Sequence, residues 1–220
     1  MHKINVEKSA FEHFDRRARE IRNRRKRHDL LGVNVMGAIG SGKTAVLSAC
    51  VHEYSRNGST GVIAGDVSGN EDARRYRSHD LPAVNVSTGS ECHIRPQQVL
   101  DALDDLPLED LDLIVVENVG NLVCPADVPL GMDRRIAMIS ITEGDDMIRK
   151  HPDLFTKTNP VVLNKIDLQD AVDADPDRVQ SDLREIHPHA TLIKTSAVTG
   201  KGLDQLAGSL FSEPAPSEEE

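Results

Sequence analysis

The sequence predicts an α/β domain: a mostly parallel sheet with helices on both faces. Three observations carry that prediction. From Gly32 onward, short β-branched runs alternate with stretches of helical periodicity. Several of these runs are apolar with little alternation, as strands covered on two sides require. The chain has 220 residues, 38% of them hydrophobic, which is enough for one such domain and little more.

Taken in order, Phe11, Phe14, Ala18 and Ile21 recur at spacings of three and four, so residues 7–27 read as a basic amphipathic helix laid on the body. Residues 1–31 form that N-terminal segment. Strands are expected at 33–36, 62–64, 83–86, 113–117, 136–141, 161–164 and 192–195, and helices at 43–57, 96–105, 176–186 and 203–210. Together these elements make one domain over residues 32–211. Residues 212–220, SEPAPSEEE, lack apolar periodicity and read as a disordered acidic tail.

Charge and composition exclude several function classes. The formal net charge is −10, against a nucleic-acid binder, whose docking face needs a surplus of basic side chains. Residues 1–31 are the exception, with ten Lys+Arg against five Asp+Glu. No run of about 18 apolar residues occurs, and the N-terminus has charges where a secretory signal needs an apolar centre, so neither membrane span nor secretion is expected. Three cysteines do not make a closed disulfide framework, so the expectation is reduced thiols in a cytoplasmic protein.

The run Gly37-Ala38-Ile39-Gly40-Ser41-Gly42-Lys43-Thr44 fits G-x-x-x-x-G-K-[ST] between a strand-like and a helical stretch, the context expected of a P-loop NTPase. Its glycines let backbone N–H groups face phosphate oxygens, with Ala45 opening the helix. Lys43 brings charge to the β and γ phosphates, and the Thr44 hydroxyl suits Mg²⁺. Asn164-Lys165-Ile166-Asp167 follows a later strand, and Ser196-Ala197 follows the next. This pair is similar to the guanine-reading motifs of GTPases. There the Asp carboxylate accepts from guanine, the Lys stem covers the base and a Ser-Ala backbone N–H meets O6, which selects GTP and GDP. The bland alternative for Asn164 and Asp167 is helix capping.

In Glu117-Asn118-Val119-Gly120, Glu117 stands where GTPases carry the Mg²⁺-side carboxylate, and Gly120 would offer its N–H to the γ-phosphate. Asn121 follows, where Ras-type enzymes have the glutamine that orients water, so slow turnover is expected. Asp66, after the second strand, could reach the metal or the attacking water; an ordinary turn residue is an equal alternative. Cys92, His93 and Cys124 are candidate ligands for Ni²⁺ or Zn²⁺, but spacing alone leaves metal ligation and plain buried thiols both open. Three ligands would need completion by water or a second chain. Cys50, within the P-loop helix, reads as a buried hydrophobe.

With GAIGSGKT, IAGDV, TGSECH, ENVGNLVCPA, ISITEGDD, NKIDL and KTSAVTGKGLD in order, the stretch from Gly32 to Leu206 resembles the hydrogenase nickel-incorporation GTPases, the HypB family. The resemblance implies a slow GTP-hydrolysing metallochaperone that helps load nickel into the large subunit of [NiFe] hydrogenase. A second nickel-maturation protein would be its partner. It also implies that Cys92, His93 and Cys124 are metal ligands near a GTP-dependent homodimer interface. Ser90 and Arg95 depart from the family's usual basic and acidic residues there. The N-terminal Cys motif and His-rich stretch of some members are not seen, so their activities are not carried over. The competing readings are a urease-accessory GTPase, for which the Cys-Pro-His triplet is missing, a metal-dependent dimerisation or storage module, and a small-molecule kinase.

Overall fold

The structure, a computed structural model, describes residues 2–54, 58–67 and 69–212, with side chains described outside 2–11 and 52–54. Phe11's side chain, residues 55–57 of the expected P-loop helix, and all but Ser212 of the expected acidic tail therefore lie outside the described residues.

Among the described residues, seven strands form one sheet: β1 (Leu31–Gly37), β2 (Thr60–Asp66), β3 (Ala83–Ser87), β4 (Leu113–Glu117), β5 (Arg134–Ser140), β6 (Val161–Asn164) and β7 (Leu192–Lys194). Their order is β3-β2-β4-β1-β5-β6-β7, and every pairing is parallel. The arrangement is that of a P-loop NTPase, as the motif context predicts. Parallel neighbours require crossovers, so all the strands point the same way and their C-terminal ends share one edge of the sheet. β4 is buried at every position, consistent with its unalternating LIVVE sequence.

The crossovers are α2 (Lys43–Tyr54), α3 (Glu71–Arg77), α4 (Pro96–Asp104), the short pair α5 (Met147–Lys150) and α6 (Pro152–Phe155), and α7 (Pro176–Ile186), with α8 (Leu203–Phe211) closing the fold. The sequence did not suggest α3, α5 and α6. Seven and four residues are too few to display a 3.6-residue period. The expected fifth strand at 136–141 lies at Arg134–Ser140 instead, because Ile141 opens a 3₁₀ turn, Ile141–Glu143.

The N-terminal helix α1 (His2–Arg27) is longer than its periodic stretch. It buries Ala18 and Ile21 and, near its end, the whole of Arg25. The Arg25 guanidinium donates to Asp133 at 2.6 and 3.0 Å and to the carbonyls of Gly131 and Leu30. A buried arginine is tolerated when its donors are matched in this way. α1 is thereby fastened beneath β1 and β5, at the sheet end opposite the phosphate loop.

Candidate functional site

β1 ends at Gly37 and α2 begins at Lys43, so the loop between them places the helix N-terminus beside the C-terminal ends of β2 and β4. This is where open α/β sheets bind ligands. A cavity of about 500 Å³ lies there, lined by the phosphate loop, Asp66 and the stretch from Glu117 to Gly120. Gly42 has φ +93°, and a Cβ on it would collide with Asn164 Nδ2. Both facts demand glycine at that position.

The Lys43 ammonium is buried and donates to the Gly37 and Ala38 carbonyls, each at 3.1 Å. Burial lowers its pKa, and the nearby carboxyls of Glu117, Asp72 and Glu143 oppose that shift. The Thr44 hydroxyl lies 2.8 Å from Asp72 Oδ1 and 2.8 Å from Glu117 Oε1. One hydroxyl hydrogen cannot serve both carboxylates at once. Three oxygens from α2, α3 and β4 thus converge on one point, a donor set that fits a hard divalent cation such as Mg²⁺. The Tyr76 hydroxyl donates to the other Glu117 oxygen at 2.5 Å. Burial pushes the Glu117 carboxyl up to about 7, against the bonds from Tyr76 and Thr44 and the charge of Lys43.

Sequence reasoning missed Asp72 and Tyr76. Both lie on α3, whose brevity hid it, and only the fold shows that their side chains reach Thr44 and Glu117. Glu143 was also missed. Its two carboxylate oxygens are buried, and burial raises its pKa against a bond from the Ser140 backbone and the charges of Lys165 and Lys43. Asp66 lines the cavity, and its carbonyl accepts from the Thr88 N–H at 2.9 Å.

The base-reading candidates form a second group beside the loop. Asn164 turns away from the solvent: its Nδ2 donates to the Ser41 carbonyl at 2.9 Å, and its Oδ1 accepts from the Thr195 hydroxyl at 3.1 Å. Lys165 sits at φ +59°, and Asp167 is exposed in the 3₁₀ turn Ile166–Ala171. Ser196 is fully buried and Ala197 partly so. The Ile166 N–H donates to the Thr195 carbonyl at 3.1 Å, holding the two loops together. Asn121 is likewise turned into its own loop. Its N–H reaches the Gly37 carbonyl at 3.0 Å, and its Oδ1 accepts from Val123 N at 2.7 Å and Cys124 N at 3.2 Å.

The Cys/His residues also meet, but not as expected. Cys92 and Cys124, 32 residues apart, are joined as a disulfide, with Cα atoms 6.1 Å apart. This corrects the expectation of free thiols. Counting cysteines could not show that the loops after β3 and β4 are neighbours. His93 Nδ1 is 3.8 Å from the Cys92 sulfur. Burial lowers the His93 pKa, with Glu91 opposing and Arg95 adding to the effect. Arg95 and Glu91 form an ion pair at 2.6 Å. Among the described residues no three His, Cys, Asp or Glu side chains are grouped as a metal site. A bonded pair of sulfurs has no thiolate to offer, so the ligand set exists only in the reduced protein.

Residues 32–194 match the family described as CobW/HypB/UreG, nucleotide-binding domain. The chain belongs to that family. Its resemblance is to the HypB branch. A protein of Methanocaldococcus jannaschii named as a probable hydrogenase maturation factor HypB is 40% identical over 203 residues, 92% of each chain. The crystal structure of hydrogenase maturation factor HypB from Archaeoglobus fulgidus superposes with a TM-score of 0.84 at 37% identity, covering 90% of this chain and 97% of that one. HypB from Helicobacter pylori in complex with nickel gives 0.86 at 31% identity, covering 90% and 93%.

Proposed function

We propose that the chain is a slow GTP-hydrolysing metallochaperone that carries nickel during [NiFe] hydrogenase maturation. The convergence of Thr44, Asp72 and Glu117 beside the phosphate loop supports this reading most directly. In it the loop amides and Lys43 hold the polyphosphate, while Thr44 and Glu117, with Asp66 and Asp72 near, face Mg²⁺. Bound Mg²⁺ would supply charge neutralisation at the β and γ oxygens. Gly120 donates its N–H to the γ-phosphate. Asp167 and the Ser196-Ala197 backbone select guanine, since adenine would leave the carboxylate unmatched. With its side-chain oxygen committed to Val123 and Cys124, Asn121 does not orient water, which favours slow turnover.

Nickel is cargo in this scheme, held by reduced Cys92, His93 and Cys124; Zn²⁺ suits the same donors. Three ligands per chain, together with an apolar rim in which Ile39 is 85% and Val123 62% exposed, favour a homodimer formed in the GTP state. A second nickel-maturation protein and the hydrogenase large subunit would be donor and acceptor, in the cytoplasm. No helix among the described residues is long and apolar enough to cross a membrane.

The test is binding of fluorescent GTP and ATP, followed by Ni²⁺ titration of phosphine-reduced protein with GDP or a non-hydrolysable GTP analogue, with light scattering alongside. GTP preference, Ni²⁺ binding that depends on the nucleotide, and a dimer with the analogue are expected. Equal affinity for ATP and GTP, or a monomer with identical Ni²⁺ affinity in both states, would overturn the reading.

A further inference from the structure

Two stretches remote in sequence meet behind the phosphate cavity. Ile94 directly follows Cys92 and His93, and its backbone N–H donates to Asn118 Oδ1 at 3.1 Å. Asn118 lies between Glu117 and Gly120. Its own N–H donates to the Val35 carbonyl at 2.9 Å, its Nδ2 donates to Asn34 Oδ1 at 3.3 Å, and its Oδ1 also accepts from Val119 N at 3.0 Å. One buried side chain therefore ties β1, the loop after β4 and the segment carrying Cys92 and His93.

The attachment is tight on both sides of Ile94. Its side chain is fully buried, and a Cβ on Gly65 would come within 2.6 Å of Ile94 Cδ1, so the side chain packs directly on the end of β2. Ile94 cannot follow Asn118 without moving its neighbours, Cys92 and His93. Asn34 and Asn118 are both about 1% exposed, and Asn34 Nδ2 has no hydrogen-bond partner among the described residues. The pair thus holds an unused donor that a second arrangement would satisfy, and coupling between sites calls for such a discrete alternative.

We propose that Asn118 is the positioning residue that carries the nucleotide state from Gly120 to Cys92 and His93. Cys124 shares a loop with Gly120 and feels the γ-phosphate directly. In the reduced protein the other two ligands lie on a separate segment, and the Asn118 carboxamide links that segment to the loop by a hydrogen bond. The proposal rests on the nucleotide–nickel coupling put forward above.

The experiment measures Ni²⁺ dissociation constants of phosphine-reduced protein with GDP and with the GTP analogue, for the parent, Asn118→Ala and Ile94→Ala. Hydrogen exchange at the Ile94 amide of the parent is followed in the same two states. A parent ratio of about fivefold or more is expected, in the usual range of coupling between sites. In Asn118→Ala the ratio should fall well below the parent's, to what Cys124 alone carries, while Ni²⁺ and nucleotide still bind, and Ile94→Ala, which keeps the backbone bond, should retain most of it. The parent's Ile94 amide should exchange at different rates in the two states, a readout that stands even if Asn118→Ala does not fold. Unchanged exchange, or a ratio kept in Asn118→Ala, would overturn the role of Asn118 and leave the coupling intact. A parent ratio of one would remove both.

Discussion

Glu117 is where the site's chemistry is most constrained. Its longer side chain, compared with the aspartate of ordinary GTPases, leaves one more torsion to fix, and Tyr76 fixes it from below while Thr44 meets it from above. A carboxyl whose folded pKa of about 7 lies above its ordinary 4.5 favours the native state at low pH. That contribution is complete below pH 4.5 and is lost as pH rises through 7. We expect the melting temperature of the nucleotide-free protein to fall across this window, and to fall less in Glu117→Gln; equal slopes in thermal scans would contradict the assignment. The residues of the phosphate loop could be read directly from the sequence, because a local backbone shape dictates their types. Asp72 and Tyr76 could not, since their roles come from side chains of α3 reaching Thr44 and Glu117, about 30 and 40 residues away, which no local pattern encodes.

Among the elements, α1 combines an apolar face, with Ala18 and Ile21 buried, with one deep polar anchor. Arg25 enters a space that Gly32 leaves open, since a Cβ there would lie 2.6 Å from the guanidinium, and it pairs with Asp133. Burial raises the Asp133 carboxyl, yet Arg25 and the Gly32 N–H outweigh it and hold the pKa below the ordinary value. Removing one partner of such a pair strands the other, so Arg25→Ala should cost about 3–5 kcal/mol. Chemical denaturation would measure it, and a loss within about 0.5 kcal/mol, the usual range for surface changes, would show that α1 is not held this way. The helix was visible in its periodicity, but its anchor was not. In sequence, Arg25 is one more charge in a run of basic residues, RNRRKR. The strands were legible for a related reason, because burial on two faces leaves an apolar run whatever the topology, whereas the order β3-β2-β4-β1-β5-β6-β7 depends on which runs pair.

Across the whole molecule, the parallel sheet gathers every candidate functional loop at one edge. The phosphate side lies over β2, β4 and β1, and the base side over β6 and β7. In the proposed function, selection among nucleotides belongs to the second half. Asp167→Asn should move preference from GTP towards xanthosine triphosphate without loss of fold, as competition titration would read; unchanged GTP preference would remove Asp167 from base recognition. The meeting of the Cys92 and Cys124 loops is also a property of the whole, since it requires β3 and β4 to flank β2.

Asn164 spans those two halves, with one end on Ser41 and the other on Thr195. Nucleoside and polyphosphate are consequently not independent fragments. A guanine that stills the Thr195 loop also stills Ser41 through the shared amide, so part of the ordering entropy of the phosphate loop is spent before any phosphate arrives. The free energies of the two pieces, measured separately, would not sum to that of the intact ligand, and the shortfall would report the stiffness of a single side chain.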